Sequence, residues 1–250
     1  MEEKITVSGL SKSFGEKSVL SGLNLSVFRG EILCIVGVSG VGKSVILKHL
    51  IGILEPDAGS ITVDGVSFID ADKETRSGIL SRYGILFQGA ALFDSMNIYD
   101  NVAFGLRRRK LPEDEIKETV AGMLEQVGLR DVNEKMPSEL SGGMQKRAAL
   151  ARSIALHPEI MLYDEPTTGV DPITGGAVDR LIKKMRDSFG ITSVVVTHDM
   201  KSANRVADRI AMLYGGEIIF SGTPEEFKNA EESRVRQFRE GKAHGPIKVI

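Results

Sequence analysis

Residues 32–50, ILCIVGVSGVGKSVILKHL, run from an apolar stretch through three close glycines into Lys-Ser and a second apolar stretch. No other feature of the chain narrows its fold so far. Ile32 to Val36 reads as a short buried strand, and Lys43 onward as a helix carrying apolar Val45, Ile46, Leu47 and Leu50. A strand delivered into a helix through nearly bare backbone belongs to an α/β core. The loop Gly37-Val38-Ser39-Gly40-Val41-Gly42-Lys43-Ser44 fits G-x-x-x-x-G-K-[ST], a phosphate-binding P-loop. Its glycines let the backbone curl so that successive N–H groups face phosphate oxygens. The helix starting at Gly42-Lys43 adds its positive dipole end. Lys43 is placed to reach the β- and γ-phosphates, and the Ser44 hydroxyl to bind Mg2+. An ordinary glycine turn is the alternative, and the complete motif between strand and helix argues against it. The loop alone does not separate kinase, GTPase, motor and pump.

At 250 residues the chain has room for one large domain or a core with a subdomain. Its net charge of −2 gives no reason to expect a nucleic-acid partner. The single cysteine, Cys34, cannot form an internal disulfide, which fits a reducing compartment, and its place in a buried strand suits a structural thiol. The opening MEEKITV lacks the apolar stretch of a signal peptide, and no apolar run approaches the ~18 residues of a membrane span. If the protein works at a membrane, a partner is expected to bring it there.

Residues 4–36 look β-rich, SITVDGVSF reads as a hairpin across Asp-Gly, and YGILFQG as another short strand. Helical character dominates 95–157, where Ile116, Val120, Met123, Leu124 and Val127 recur at helical spacing. After 158 the alternation returns. PEIMLYDEP is a strand, 174–188 a helix, ITSVVVTH a buried strand, 200–207 a helix, and RIAMLYGGEIIFSG a hairpin. Thr223, Pro224 and Glu226 open a further helix as a capping box, and the aperiodic tail REGKAHGPIKVI is expected to be extended. The expected organisation is a single domain, with a core of about 1–94 and 158–230, a helical subdomain of about 95–157 and a tail at 231–250.

Two carboxylates end the strand IMLYDEP. Asp164 is placed to hold Mg2+, and Glu165 to orient and accept a proton from an attacking water. A solvated strand-end turn is the plainer reading, outweighed by the P-loop upstream. The stretch ELSGGMQKRAALARSIALHP then places Ser141-Gly142-Gly143 before a helix, a second anion-binding start in one chain. Two phosphate cradles make sense if nucleotide is clamped between two surfaces.

With that pair of motifs the chain resembles the ATPase subunits of ATP-binding cassette (ABC) transporters, whose signature is LSGGQ; here it reads Leu140-Ser141-Gly142-Gly143-Met144. The resemblance spans essentially the whole chain. It implies an α/β P-loop fold of ABC type, a RecA-like core with an antiparallel β subdomain and an inserted α-helical signature subdomain. By it, Phe14 matches the aromatic that stacks on adenine, with a strand-edge core residue as the alternative. Gln88 matches the glutamine that reaches Mg2+ and the water, Asp171 the aspartate that crosses a dimer interface, and His198 the histidine that contacts γ-phosphate. Thr168 and Val170 replace commoner small and leucine residues, and Val45 stands where a hydroxyl side chain is usual. The implied cofactors are ATP and Mg2+. The implied assembly is a head-to-tail homodimer that closes on ATP, binds no nucleic acid, and docks on integral-membrane permease subunits at the cytoplasmic face of an inner membrane.

A DNA-repair or translation ATPase of this superfamily would carry a long insertion or two cassettes, and this chain has one uninterrupted cassette. A soluble assembly ATPase, such as those serving iron–sulfur scaffolds, shares the catalytic motifs. Residues 88–110 discriminate, because Ala90, Ala91, Leu92, Phe93 and Met96 can form a groove lip for a permease helix, or simply core. Arg107 to Lys110 reads as a solvated face rather than a lipid contact. GAALFDSMNIYDNVAF, LYDEPTTGVDPIT and RVRQFREGKAHGP resemble the ATPases of maintenance-of-lipid-asymmetry (Mla) transporters, which move phospholipids with MCE-domain proteins. A non-lipid solute remains the alternative substrate.

Overall fold

Short polar side chains written just ahead of each apolar stretch start most of the helices. In chain order the computed structural model, which describes residues 2–248, begins with β1 (Glu3–Phe14), β2 (Lys17–Phe28), β3 (Ile32–Val36), α1 (Lys43–Leu50), β4 (Ala58–Val63), β5 (Val66–Ser67), α2 (Lys73–Leu80) and β6 (Tyr83–Leu86). Next come α3 (Ile98–Arg108), α4 (Glu113–Gln126), α5 (Gly142–Ile154), β7 (Ile160–Asp164) and α6 (Pro172–Phe189). The chain continues through β8 (Thr192–Thr197), α7 (Met200–Val206), β9 (Arg209–Tyr214), β10 (Glu217–Gly222), α8 (Pro224–Asn229) and α9 (Ser233–Glu240). Asn97, Ser141, Asp171 and Asp199 each accept a first-turn backbone N–H at the starts of α3, α5, α6 and α7. Such caps stabilise a helix by about 1 kcal/mol each. Thr223 and Glu226 close the expected capping box on α8, while α4 uses three acidic residues in its first turn.

The chain forms two compact units, Met1–Ser81 with Thr192–Ile250, and Arg82–Ile191. The first holds an antiparallel sheet in the order β2-β1-β4-β5. Its β4–β5 turn runs through Asp64 and Gly65, both at positive φ, as a two-residue hairpin requires. The same unit holds β3 in parallel pairing with β8 and β9, and β10 antiparallel to β9. Every residue of β3 is buried, Cys34 included, so its unbroken apolar run reflects a strand covered on both faces. In the second unit β6 pairs in parallel with β7. Its helical core buries Val102 and Leu106 of α3, Ile116, Val120 and Leu124 of α4, and Leu150 and Ile154 of α5, each such side chain contributing about 1.5–3 kcal/mol. Among the described residues no helix is long and apolar enough to cross a membrane.

One helix lies where no element was expected, and one expectation is corrected. Helix α2 was not anticipated; Asp72 caps it by accepting from Thr75 N, and only Ile79 on it is buried, so it carries almost no apolar period. The tail is not extended from Arg239. Helix α9 runs to Glu240, and the chain then turns back so that Ile247 N donates to Gln237 Oε1 at 2.6 Å and Gln237 Nε2 donates to Ile247 O at 3.0 Å. A side-chain amide thus satisfies both backbone groups of one residue. The end of the expected tail, 249–250, lies outside the described residues.

Candidate nucleotide site

In the first unit, β3 ends at Val36 and the loop emerges from the core, with Gly37 buried and Ser39 and Gly40 exposed. A Cβ on Gly37 would lie 2.5 Å from Leu213 O, so the strand's exit excludes any side chain there. Gly40 and Gly42 take φ of 75° and 111°, left-handed territory that suits glycine. Gly42 then starts α1. Lys43 is 7% exposed, and its Nζ donates to Gly37 O at 2.8 Å and Val38 O at 3.1 Å. The ammonium is therefore fixed within the curve of the loop, while Ser44 is exposed and Val41 and Val45 are half-buried.

His198 follows β8, whose Thr197 is in register with Val36 of β3. The parallel pairing thus brings His198 and the start of the glycine loop out of the same sheet edge, the carboxyl ends of strands where α/β folds bind ligands. His198 is exposed. Phe14, at the end of β1, is 50% exposed with Lys12 Nζ 5.8 Å from its ring centroid. It is not a core phenylalanine, and its open face suits stacking.

The second unit repeats this logic. Leu86 of β6 is in register with Tyr163 of β7. Gln88, two residues on, therefore leaves the same end of the pair as Asp164 and Glu165. Gln88 is exposed and the two carboxylates are half-buried. Glu165 takes φ 47°, a left-handed backbone uncommon outside glycine. Its Oε2 accepts from Thr168 Oγ1 at 3.1 Å, and its carbonyl accepts from Thr168 N at 3.1 Å. The loop after Gln88 is also left-handed, at Ala90 and Ala91. Arg152 of α5 holds it, donating to Ala91 O at 2.7 Å and Ala90 O at 3.3 Å.

At the start of α5, Ser141 and Gly142 are exposed while Gly143 is buried. Ser141 Oγ accepts from Met144 N at 3.3 Å, and Gln145 Nε2 braces the preceding turn through Pro137 O at 2.8 Å. A Cβ on Gly143 would meet Thr174 Cγ2 at 2.2 Å. That contact brings the start of α5 against the start of α6. There Asp171 accepts from Ile173 N, Thr174 N and Thr174 Oγ1. These bonds, the Thr174 hydroxyl first, hold its carboxyl below the usual carboxylate range. Asp171, read as crossing a dimer interface, is engaged in capping its own helix, and the side chain most open beside it is Ile173, 84% exposed.

Residues that escaped the sequence reading sit on α5. Lys146 is 5% exposed; its Nζ donates to Pro166 O at 2.9 Å and Glu165 O at 3.4 Å. Burial pushes its pKa down, opposed by the charge of Glu165. Its signal was its position, one turn before Leu150 on the apolar face. Arg152 carried no comparable sign. Among the described residues no cluster of three or more His, Cys, Asp or Glu makes a metal cage. The Ser44 hydroxyl in the first unit and the Asp164 carboxylate in the second are each hard oxygen donors, the kind that Mg2+ takes.

The second unit also carries a groove. Met96, Asp100, Phe104, Arg107 and Arg108 line a cavity of about 410 Å3. Phe93, 40% exposed, packs against Phe104 with the rings tilted at 49° and their centroids 4.7 Å apart. Buried Asn101 fixes the rim by bonding Phe93 N and O, Met96 O and Asn97 O. Ala90 is buried instead, so the expected lip is partly core. Arg107 is paired with Asp100 at 2.7 Å and Glu113 at 3.1 Å, so it is not simply solvated.

The family model described as "ABC transporter" matches residues 20–168. The chain is 42% identical to the probable ribonucleotide transport ATP-binding protein mkl of Mycobacterium leprae, over 97% of this chain and 70% of that one. It is 41% identical to the intermembrane phospholipid transport system ATP-binding protein MlaF of Haemophilus influenzae, over 98% of this chain and 93% of the relative. A dimeric bacterial ABC transporter cassette superposes with a TM-score of 0.81 at 31% identity, covering 88% of this chain and 98% of that one.

Proposed function

Because the chain belongs to the ABC transporter family, we propose that it is the ATP-hydrolysing subunit of a membrane transporter that moves phospholipid. The observation that carries the chemistry is Lys43, fixed in a glycine loop at the carboxyl end of β3. Phosphoryl transfer to water needs positioning and charge stabilisation more than covalent catalysis. Backbone N–H groups of Gly40 to Ser44 and the Lys43 ammonium bind the phosphates, Phe14 stacks on the base, and His198 contacts the γ-phosphate. Ser44, Asp164 and Gln88 would hold Mg2+, which would supply neutralisation of phosphate charge. Glu165 orients the attacking water and takes its proton.

Ser141, Gly142 and Gly143 face the γ-phosphate held by a second copy, so that two ATP molecules join a head-to-tail homodimer. Closure on ATP and release after hydrolysis follow from that difference in contacts. The groove from Phe93 to Arg108 receives a helix of an integral-membrane permease, which holds the protein at the cytoplasmic face of the inner membrane beside an MCE-domain lipid-binding protein. Similarity to MlaF, a phospholipid transport protein, supports phospholipid as cargo, and similarity to mkl, a probable ribonucleotide transport protein, favours a ribonucleotide as the competing cargo.

The ATPase reading is tested by Glu165→Gln. Removing a general base costs about 100- to 10,000-fold in turnover, while ATP binding should persist; near-normal turnover would remove Glu165 from this role. The cargo is tested by reconstituting the complete complex with fluorescent phospholipid, in parallel with a labelled ribonucleotide. Lipid transfer that needs ATP and stops with Glu165→Gln supports the reading. ATP turnover with nucleotide transfer alone replaces it.

A further inference from the structure

We propose that Lys146 and Thr168 are positioning residues for Glu165, a strap that fixes its backbone and carboxylate in the geometry hydrolysis needs. The proposal rests on the reading of Glu165 as the carboxylate that orients water. Three observations converge. Glu165 is held at φ 47° without being glycine, and such conformations persist where surrounding contacts over-determine them. Lys146 supplies those contacts from α5, donating to Glu165 O and Pro166 O from a buried ammonium. Thr168 grips the same residue twice, through its N–H on the carbonyl and its hydroxyl on Oε2.

The chemistry explains why both grips matter. A carboxylate that orients water must present one oxygen along a fixed line, and each bond to the carboxylate narrows the range of its χ angles. The Thr168 hydroxyl fixes the plane of the carboxylate by committing Oε2. The Lys146 ammonium holds two successive carbonyls together, so the peptide after Glu165 cannot rotate to relax the left-handed backbone. Burying that ammonium at carbonyls alone is costly, and a packing role on the apolar face of α5 would be filled as well by leucine or methionine. Lys146 also lies on the helix that opens with Ser141-Gly142-Gly143. The strap therefore ties the position of Glu165 to that helix.

The test compares full-length Lys146→Met, Thr168→Val, Thr168→Ser and Glu165→Gln, with kcat and KM for ATP measured for each. A misplacement on the order of 1 Å costs about 100-fold in rate. Lys146→Met and Thr168→Val are expected to lower kcat by roughly 10- to 100-fold, with KM for ATP within about twofold. Thr168→Ser, which keeps the hydroxyl, should restore most of the turnover. In single-turnover hydrolysis, adding either change to Glu165→Gln should lower the residual rate little further, because residues acting through one group are non-additive. Full kcat in both variants while Glu165→Gln is inactive overturns the strap and leaves the role of Glu165 standing. So do losses that multiply in the Glu165→Gln background. Near-normal turnover by Glu165→Gln overturns the role of Glu165 and the strap together. If Lys146→Met does not fold, as read by its thermal transition, Thr168→Val against Thr168→Ser decides the matter.

Discussion

The starts of α1 and α5 offer the same physical feature, a glycine-preceded turn of backbone N–H groups, and build it for different reasons. At α1 the glycines answer to the backbone. Gly40 and Gly42 have positive φ, a Cβ added at Gly37 would lie 2.5 Å from the Leu213 carbonyl oxygen, and Lys43 is folded into the loop they form. At α5 the buried glycine answers to a neighbour, since Gly143 has no room for a Cβ beside Thr174. Its nearby lysine, Lys146, is turned inward to carbonyls instead of outward to a ligand. One start is a cradle closed around its own lysine; the other presents an exposed serine and glycine while its lysine is folded away. The difference teaches that a glycine-rich helix start names an anion site only once the purpose of each glycine is known.

The sharpest way to break this comparison is to separate the two starts between subunits. A subunit carrying Lys43→Ala paired with one carrying Ser141→Arg leaves one composite site intact. Both changes in one subunit opposite a wild-type partner leave each site with one broken half. Losing a charge-assisted contact costs about 1.5–3 kcal/mol, so nucleotide occlusion should differ by roughly 10- to 100-fold between the two arrangements. Equal occlusion would mean that the α5 start does not complete the site of the other subunit.

A smaller effect separates the glycines of α5. Gly143→Ala should destabilise by about 1–3 kcal/mol through overpacking against Thr174. Gly142→Ala, with nothing within 4 Å of its added Cβ, should change stability by no more than about 1 kcal/mol. Denaturant midpoints of the two variants decide this. If they agree, Gly143 is present for its ligand and not for its neighbour.

The smallest effect lies at the other end of α1. His49 is fully buried there, and its Nδ1–H donates to Val45 O at 2.7 Å. Burial lowers its pKa below the ordinary 6.5; Lys12 lowers it further, while the Val45 carbonyl and the Asp57 carboxylate oppose the shift. The folded state then binds fewer protons than the unfolded state as pH falls through that range. Its contribution is complete above about pH 6.5 and is lost on acidification, with a limiting slope of about 1.4 kcal/mol per pH unit. His49→Gln should flatten this part of a pH series of denaturation midpoints. Helix α5 carries no histidine, so an unchanged slope in that variant would remove the contrast between the two helices.

Where the sequence was legible, the cause of structure was local. The glycine loop, the Asp-Gly hairpin and the Thr223 capping box each depend on residues within a few positions of one another. Buried strands such as Ile32–Val36 announced themselves by unbroken apolar runs. Helix α2 was hidden because it buries one residue, and the turn after α9 because Gln237 and Ile247 meet ten positions apart through an amide. Lys146 and Arg152 stand among other basic residues on α5, and only tertiary packing shows what they hold. At Asp171 the structure adds a helix cap, made to Ile173 N and Thr174 N, that the motif match alone did not show.

The grips of α5 have a mechanical consequence. Its 13 residues make a rod about 20 Å long, bolted by Lys146 to the peptide of Glu165 and by Arg152 to the loop after Gln88. The six-residue step between the two grips spans about 9 Å, so a tilt of about 6° shifts one grip against the other by about 1 Å. That is the displacement at which a reaction dependent on placement slows by about 100-fold. A push on the first turn of α5 therefore arrives as torque at two loops, and stiffness in one helix lets a small rotation gate the chemistry.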